Sequence, residues 1–188
     1  MADFEEAVKD HSMVIELDSG VHRSLYFSNN GGSVYHFRIN TWPGHLCISG
    51  DMGTYVFSRL EDMFEFFRGD KVNLSYWSEK IQSESRFGSG VMEFSQEKLV
   101  EQVREWVADT SSDVRDEVEE SLIPYITDVG EGAALNEIYN FSGTANFSDF
   151  FTDLSPWCYR NYTVHFEWCC EAIVWAIKKY DEESVNDK

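Results

Sequence analysis

The chain is poor in positive charge. It holds 15 lysines and arginines against 34 aspartates and glutamates in 188 residues, a net charge of −19. Contacts to phosphate need Lys and Arg, so direct binding to bare nucleic acid is disfavoured, as is binding to an anionic membrane. Long apolar runs are missing too, and none approaches the length of a membrane span. The stretch Met1-Ala-Asp-Phe-Glu-Glu6 is acidic and lacks the apolar segment of a secretion signal, which sets the expectation of a cytoplasmic protein. The four cysteines, Cys47, Cys158, Cys169 and Cys170, show no disulfide-framework spacing, so reduced and mostly buried thiols are expected. Equally absent are a G-x-S-x-G elbow, a phosphate-binding P-loop and a G-x-G-x-x-G turn. No catalytic residue, metal ligand or cofactor is therefore assigned.

Two small constellations come nearest to chemistry. Cys158, His165, Cys169 and Cys170 bring zinc-ligand types together, with His165 and Cys169 one helical turn apart. The paired C-x-x-C spacing of a zinc site is lacking, and buried thiols beside a core histidine are the simpler reading. His45, Cys47 and Asp51 group a base, a nucleophile and a carboxylate, but beside a turn, where ordinary strand residues are expected.

What is present is aromatic and patterned. Hydrophobic residues make up 43% and aromatics 15%, enough for a sizeable core. Met13–Leu17 and Ser24–Ser28 read as strands, followed by the turn Asn29-Asn-Gly-Gly32 and the alternating run Ser33–Asn40. Trp42-Pro-Gly44 and Gly50-Asp-Met-Gly53 punctuate two further strands, His45–Ser49 and Thr54–Ser58. Ser58 then fits a helix cap with Glu61 as its capping-box partner, ahead of the stripe Leu60, Met63, Phe64, Phe67 and a stop at Gly69. Tyr76–Ile81 suggests a helical turn, and Ser83–Gly90 a connector.

From Ser95 the pattern is helical. Leu99, Val103, Trp106 and Val107 form one stripe, and a capping box Thr110-Ser-Ser-Asp113 opens a second helix carrying Val114, Val118 and Leu122. Pro124 ends it, and Ala133–Phe141 makes a short helix. Tyr162–Tyr180 is apolar almost all round, with Glu167, Glu171 and Lys178 as a narrow polar seam, so it reads as a buried core helix. The expected fold is α+β: an N-terminal antiparallel β-meander of about four strands packed against a C-terminal helical layer. One domain spans 1–188, β-rich over 13–58, helical over 59–180, with a mobile polar tail at 181–188.

The charge is unevenly placed. Residues 1–92 carry 13 acids and 8 bases, net −5, whereas residues 93–188 carry 21 acids and 7 bases, net −14. Glu93, Glu97, Glu101, Glu105, Asp109, Asp113 and Glu117 recur every fourth position, with Asp116, Glu119 and Glu120 beside the end. On a helix that spacing sets carboxylates about 6 Å apart along the axis, comparable to successive phosphates of a nucleic-acid strand. These ten residues are the candidate partner-binding surface, a nucleic-acid mimic fitted to a basic groove on another protein. A merely solvated helix face is the plain alternative. Trp42, Tyr55 and Trp77 are candidate anchors or core residues.

The stretch Thr41-Trp-Pro-Gly-His-Leu46 with Gly50-Asp-Met-Gly-Thr-Tyr-Val-Phe-Ser-Arg-Leu-Glu-Asp-Met-Phe-Glu-Phe-Phe67 resembles small bacteriophage and prophage accessory proteins of unassigned activity. The resemblance implies a phage gene product in a bacterial cytoplasm, of the kind that counters restriction or CRISPR complexes. It supplies no catalytic residues. The leading expectation is a non-enzymatic acidic binding protein, an inhibitor of a host nucleic-acid-binding defence complex. The alternatives are a small enzyme or metal protein using the Cys/His residues, and a phage structural or assembly protein.

Overall fold

The computed structural model describes residues 4–69, 71–85 and 90–186. The chain divides into two compact units, one of residues 1–91 with 162–188 and one of residues 92–161. The one domain expected from the sequence thus contains two separately packed parts, each with its own apolar cluster.

Unit 1 is a six-stranded antiparallel sheet followed in space by helices. Strands β1 (Ser12–Ser19), β2 (His22–Ser28), β3 (Phe37–Trp42), β4 (His45–Gly50), β5 (Gly53–Ser58) and β6 (Ile81–Glu84) lie side by side in chain order. This is the expected meander, with more strands than the four anticipated. The alternation works as period 2 requires: Leu25, Phe27, Phe37, Ile39, Leu46, Ile48, Tyr55 and Phe57 all face inward and are fully buried. The other face carries Ser24, Tyr26, Arg38, Asn40, Ser49 and Thr54, all half-exposed. There the Arg38 guanidinium lies 4.3 Å above the Tyr26 ring and pairs with Glu16.

Helix α9 (Val164–Asn186) covers the apolar face with Phe166, Cys169, Cys170, Ile173 and Ile177. Its first turn is capped by Thr163, whose Oγ1 accepts the Phe166 N–H at 3.1 Å. Glu167, Glu171 and Lys178 are exposed, as the polar seam predicts. Short helices α1 (Phe4–Val8), α2 (Met63–Phe67) and α3 (Leu74–Ser78) complete the unit. No helix among the described residues is long and apolar enough to cross a membrane.

Four local expectations are corrected. The run Ser33–Asn40 becomes a strand only at Phe37, because Tyr35 adopts a left-handed φ of 54° and donates its N–H to Asp51 Oδ2 at 2.8 Å. Ser58 does not cap α2; it stays in the sheet opposite His45, and Asp62 takes the cap by accepting the Phe64 N–H at 2.9 Å. Leu60 therefore lies before the helix and is exposed. Ile81–Glu84 is a sixth strand rather than helix or connector, and the remainder of that connector lies partly outside the described residues. The last helix, expected to end at Tyr180, runs on through Asn186, with Asp181 receiving two hydrogen bonds from Arg68 at 2.9 Å each; residues 187–188 lie outside the described residues.

Unit 2 is a set of short helices: α4 (Gln96–Trp106), α5 (Ser112–Ser121), α6 (Ile123–Ile126), α7 (Glu131–Tyr139) and α8 (Phe150–Asp153), then a 3-10 turn at Pro156–Tyr159. A ribbon of β7 (Met92–Phe94) and β8 (Arg160–Tyr162) stands at its two ends. Leu99, Val103, Val118, Leu122, Ile126 and Ile138 form its buried centre. Pro124 does end α5, and it also opens α6, where a missing N–H costs nothing.

Candidate partner-binding surface

The acidic ladder is laid out by two capped helices. Ser95 caps α4 by accepting the Lys98 N–H at 3.3 Å, and burial of Leu99, Val100 and Val103 turns Glu97, Glu101 and Glu105 to solvent. The chain then breaks. The box expected at Thr110–Asp113 does not form: the Thr110 hydroxyl bonds the Val107 carbonyl at 2.6 Å, and α5 starts at Ser112 with no side-chain cap bond. Arg115 stabilises this corner by donating to the Ala108 carbonyl at 3.2 Å and to that of Thr110. Glu93 sits on β7, Asp109 in the corner, and Asp113, Asp116, Glu117, Glu119 and Glu120 on α5. The even spacing along one axis therefore holds within α4, over Glu97, Glu101 and Glu105, and does not run on through α5.

The ten acids also differ in what they touch. Glu119 is taken by Arg104 through two bonds of 2.6 and 2.9 Å, which tie α4 to α5. Glu117 accepts the Thr144 N–H at 2.9 Å and its hydroxyl, and these bonds hold its carboxyl below the usual glutamate range. Glu117 is thus a clamp for the 140–147 loop. Glu105 accepts from Gln102 at 2.9 Å, and Asp113 from the Ser112 hydroxyl at 3.4 Å. The three cations within residues 93–120 are all engaged locally: Lys98 on the Arg160 carbonyl at 2.8 Å, Arg104 on Glu119, and Arg115 on its corner. Glu93, Glu97, Glu101, Glu105, Asp109, Asp113, Asp116 and Glu120 are left exposed with no cationic partner among the described residues.

The other constellations do not assemble. His45 stacks on Trp42 with ring centroids 5.1 Å apart, while Asp51 lies beyond the far end of β4, roughly 20 Å away at the rise of a strand, and is bonded to Tyr35. Cys47 is half-buried, and burial pushes its thiol up. Burial pushes the Cys169 and Cys170 thiols up as well, away from the thiolate that nucleophilic or metal-binding cysteine needs. Among the described residues no group of three or more His, Cys, Asp and Glu converges to hold a metal ion. Tyr55 and Trp77 are core residues, whereas Trp42 is exposed.

Two residues of this surface escape the four-residue pattern. Tyr125 and Glu137 stand beside Glu117 and Glu120 around a cleft of about 470 Å³ between α5, α6 and α7. Tyr125 lies between the buried Ile123 and Ile126, so local burial spacing points it outward, but nothing in the sequence brings Glu137 to it. No protein-family model, curated protein or solved structure matches the chain.

Proposed function

We propose that this protein is a non-enzymatic acidic binding protein that occupies the basic groove of a nucleic-acid-binding protein, as a phage inhibitor of a host defence complex would. The observation that carries the reading is the uncompensated acid of unit 2. Nine of the ten carboxylates from Glu93 to Glu120 have no cationic partner among the described residues, Glu119 being the exception, while every nearby cation is engaged. Like charges at four-residue spacing disfavour a helix by roughly 0.2–0.5 kcal/mol per pair, so a purely structural surface gains nothing from keeping them. A basic groove that normally releases counterions from nucleic acid offers the matching charge. The resemblance of Thr41–Phe67 to phage accessory proteins supports the inhibitor form of the reading.

The test uses the full chain, immobilised, against a bacterial lysate freed of nucleic acid. Retained proteins should be displaced by duplex DNA and lost steeply with salt. Screening of exposed charge pairs implies a marked drop in retention between about 50 and 200 mM salt. The variant with Glu97, Glu101, Asp113 and Asp116 all changed to Lys should retain none of them. Retention that ignores salt, DNA and that variant would sink the reading. Glu117 and Glu119 are left untouched because they hold unit 2 together.

A further inference from the structure

The cleft beside Glu120 has a second one on the other side of a shared wall. The first, about 470 Å³, and the second, about 580 Å³, share Phe141 and Gly143 as a common wall. That wall depends on glycine: a Cβ at Gly143 would run into the Phe141 ring and come within 2.7 Å of Glu117 Oε1. The Glu117–Thr144 clamp fixes the same loop from the other side. The result is a built groove whose exposed walls are aromatic. Tyr125 is 62% exposed and lines the first cleft; Tyr139 is 76% exposed, lines the second, and has Phe151 against it at 6.4 Å. Apolar rings left this open are the mark of contact surfaces rather than of cores.

Charge narrows what the groove can hold. Glu117, Glu120 and Glu137 line the first cleft, and no Lys, Arg or His lines either one. A guanidinium is the group that meets both features, because it stacks flat on an aromatic ring and forks onto a carboxylate. An ammonium satisfies the charge but not the stacking. The second cleft is aromatic and uncharged, suited to a neutral side chain carried next to the cation. We propose that this groove seats an arginine and its neighbour from an extended segment of the partner protein. The proposal rests on the acidic-surface reading and names the contact that gives it specificity.

The probe is the blocked tripeptide acetyl-Gly-Arg-Gly-amide, titrated into the full chain and followed by amide NMR shifts. Its lysine and citrulline counterparts and free spermidine serve as controls. Saturable shifts confined to residues 117–125 and 137–148 are expected with the arginine peptide. The lysine peptide should bind several-fold more weakly, and the neutral citrulline peptide should leave those residues unmoved. Tyr125→Ala, and Glu120→Gln with Glu137→Gln, should each weaken the arginine peptide about tenfold; Tyr125, Glu120 and Glu137 are exposed. Silence in the groove overturns the proposal. Shifts spread along Glu93–Asp116 with arginine and lysine alike reduce it to general charge attraction and overturn it too. Spermidine binding the groove as tightly as the arginine peptide also overturns it. If the groove is silent while the four-lysine variant still abolishes retention, the groove assignment alone falls. If that variant retains its partners, the acidic-surface reading falls and the proposal falls with it.

Discussion

Unit 1 holds 19 acids and 11 bases in 118 residues, net −8, whereas unit 2 holds 15 acids and 4 bases in 70, net −11. The apolar side runs the other way. Among the largest fully buried side chains Tyr55, Phe27, Phe37, Phe57, Phe64, Phe67 and Phe166 belong to unit 1, and Phe150 alone to unit 2. Unit 2 exposes Tyr125, Tyr139, Phe151 and Trp157, against Trp42 and Tyr76 in the larger unit 1. A six-stranded sheet with one long helix lying on it can bury large rings in rows. Helices of four to eleven residues joined by loops have less interior, and unit 2 leaves several of its rings and nearly all of its acids outside. The comparison teaches that the two regions divide their material differently: unit 1 gathers most of the large buried rings into its core, and unit 2 carries the denser acid on its surface.

The strongest way to break this division is Phe57→Ala. Phe57 is fully buried, with its ring 5.1 Å from that of Phe67 and 6.4 Å from that of Phe166. A loss of about 3–5 kcal/mol is expected. Amide hydrogen exchange should show protection falling in β2–β5 and α9 while residues 99–107 keep theirs. An equal loss in both units would show that they unfold as one.

The next effect is Asp62→Asn. Arg23 donates to both Asp62 oxygens at 2.9 Å, and its guanidinium carbon lies 4.4 Å from the centre of the Phe64 ring. Burial pushes the Asp62 carboxyl up, but the hydrogen bonds from Arg23 and the Phe64 N–H outweigh it and hold the group below its ordinary value. Removing one charge of a largely buried pair costs about 3 kcal/mol. Because the folded-state pKa is depressed, this contribution is present above the ordinary aspartate value, about 3.9, and is lost as pH falls through the folded pKa. The stability gap between wild type and Asp62→Asn should therefore be full near neutrality and close at acid pH. A gap independent of pH would refute the assignment.

The smallest effect has the opposite sign and sharpens the contrast. Changing Glu97 and Glu101 to Gln relieves a like-charge pair one turn apart on α4, and should stabilise unit 2 by a few tenths of a kcal/mol at low salt and not at high salt. Thermal melts at two ionic strengths read this directly. Lower stability at low salt would mean that these acids have structural partners.

Much of unit 1 was legible because its turns are marked and its strands alternate. Asn29–Gly32, Trp42–Gly44 and Gly50–Gly53 punctuate the meander, and Gly50 sits where a Cβ would strike the His36 carbonyl. Two of the misreadings share one cause, a polar side chain whose bond could be known only in space. Asp51 draws Tyr35 out of the strand pattern, and Asp62 with Arg23 moves the start of α2 past Ser58. In unit 2 the apolar stripes predicted which acids face outward, but not which remain free. Arg104 takes Glu119 across fifteen residues and Thr144 takes Glu117 across twenty-seven, and no spacing rule spans such distances.

The sequence by itself determined the class of the fold, the inward faces of β2–β5 and α9, the excess of acid and the side of each helix on which that acid lies. These follow from periods of 2 and 3.6 residues and from counting charge, which need no knowledge of neighbours. The tertiary structure alone decided that residues 92–161 gather round a core of their own, that Glu117 and Glu119 are clamps, and that Tyr125 and Glu137 line one cleft. Long-range contact is what sets which charges are neutralised and which rings find cover, and it is invisible to any local pattern.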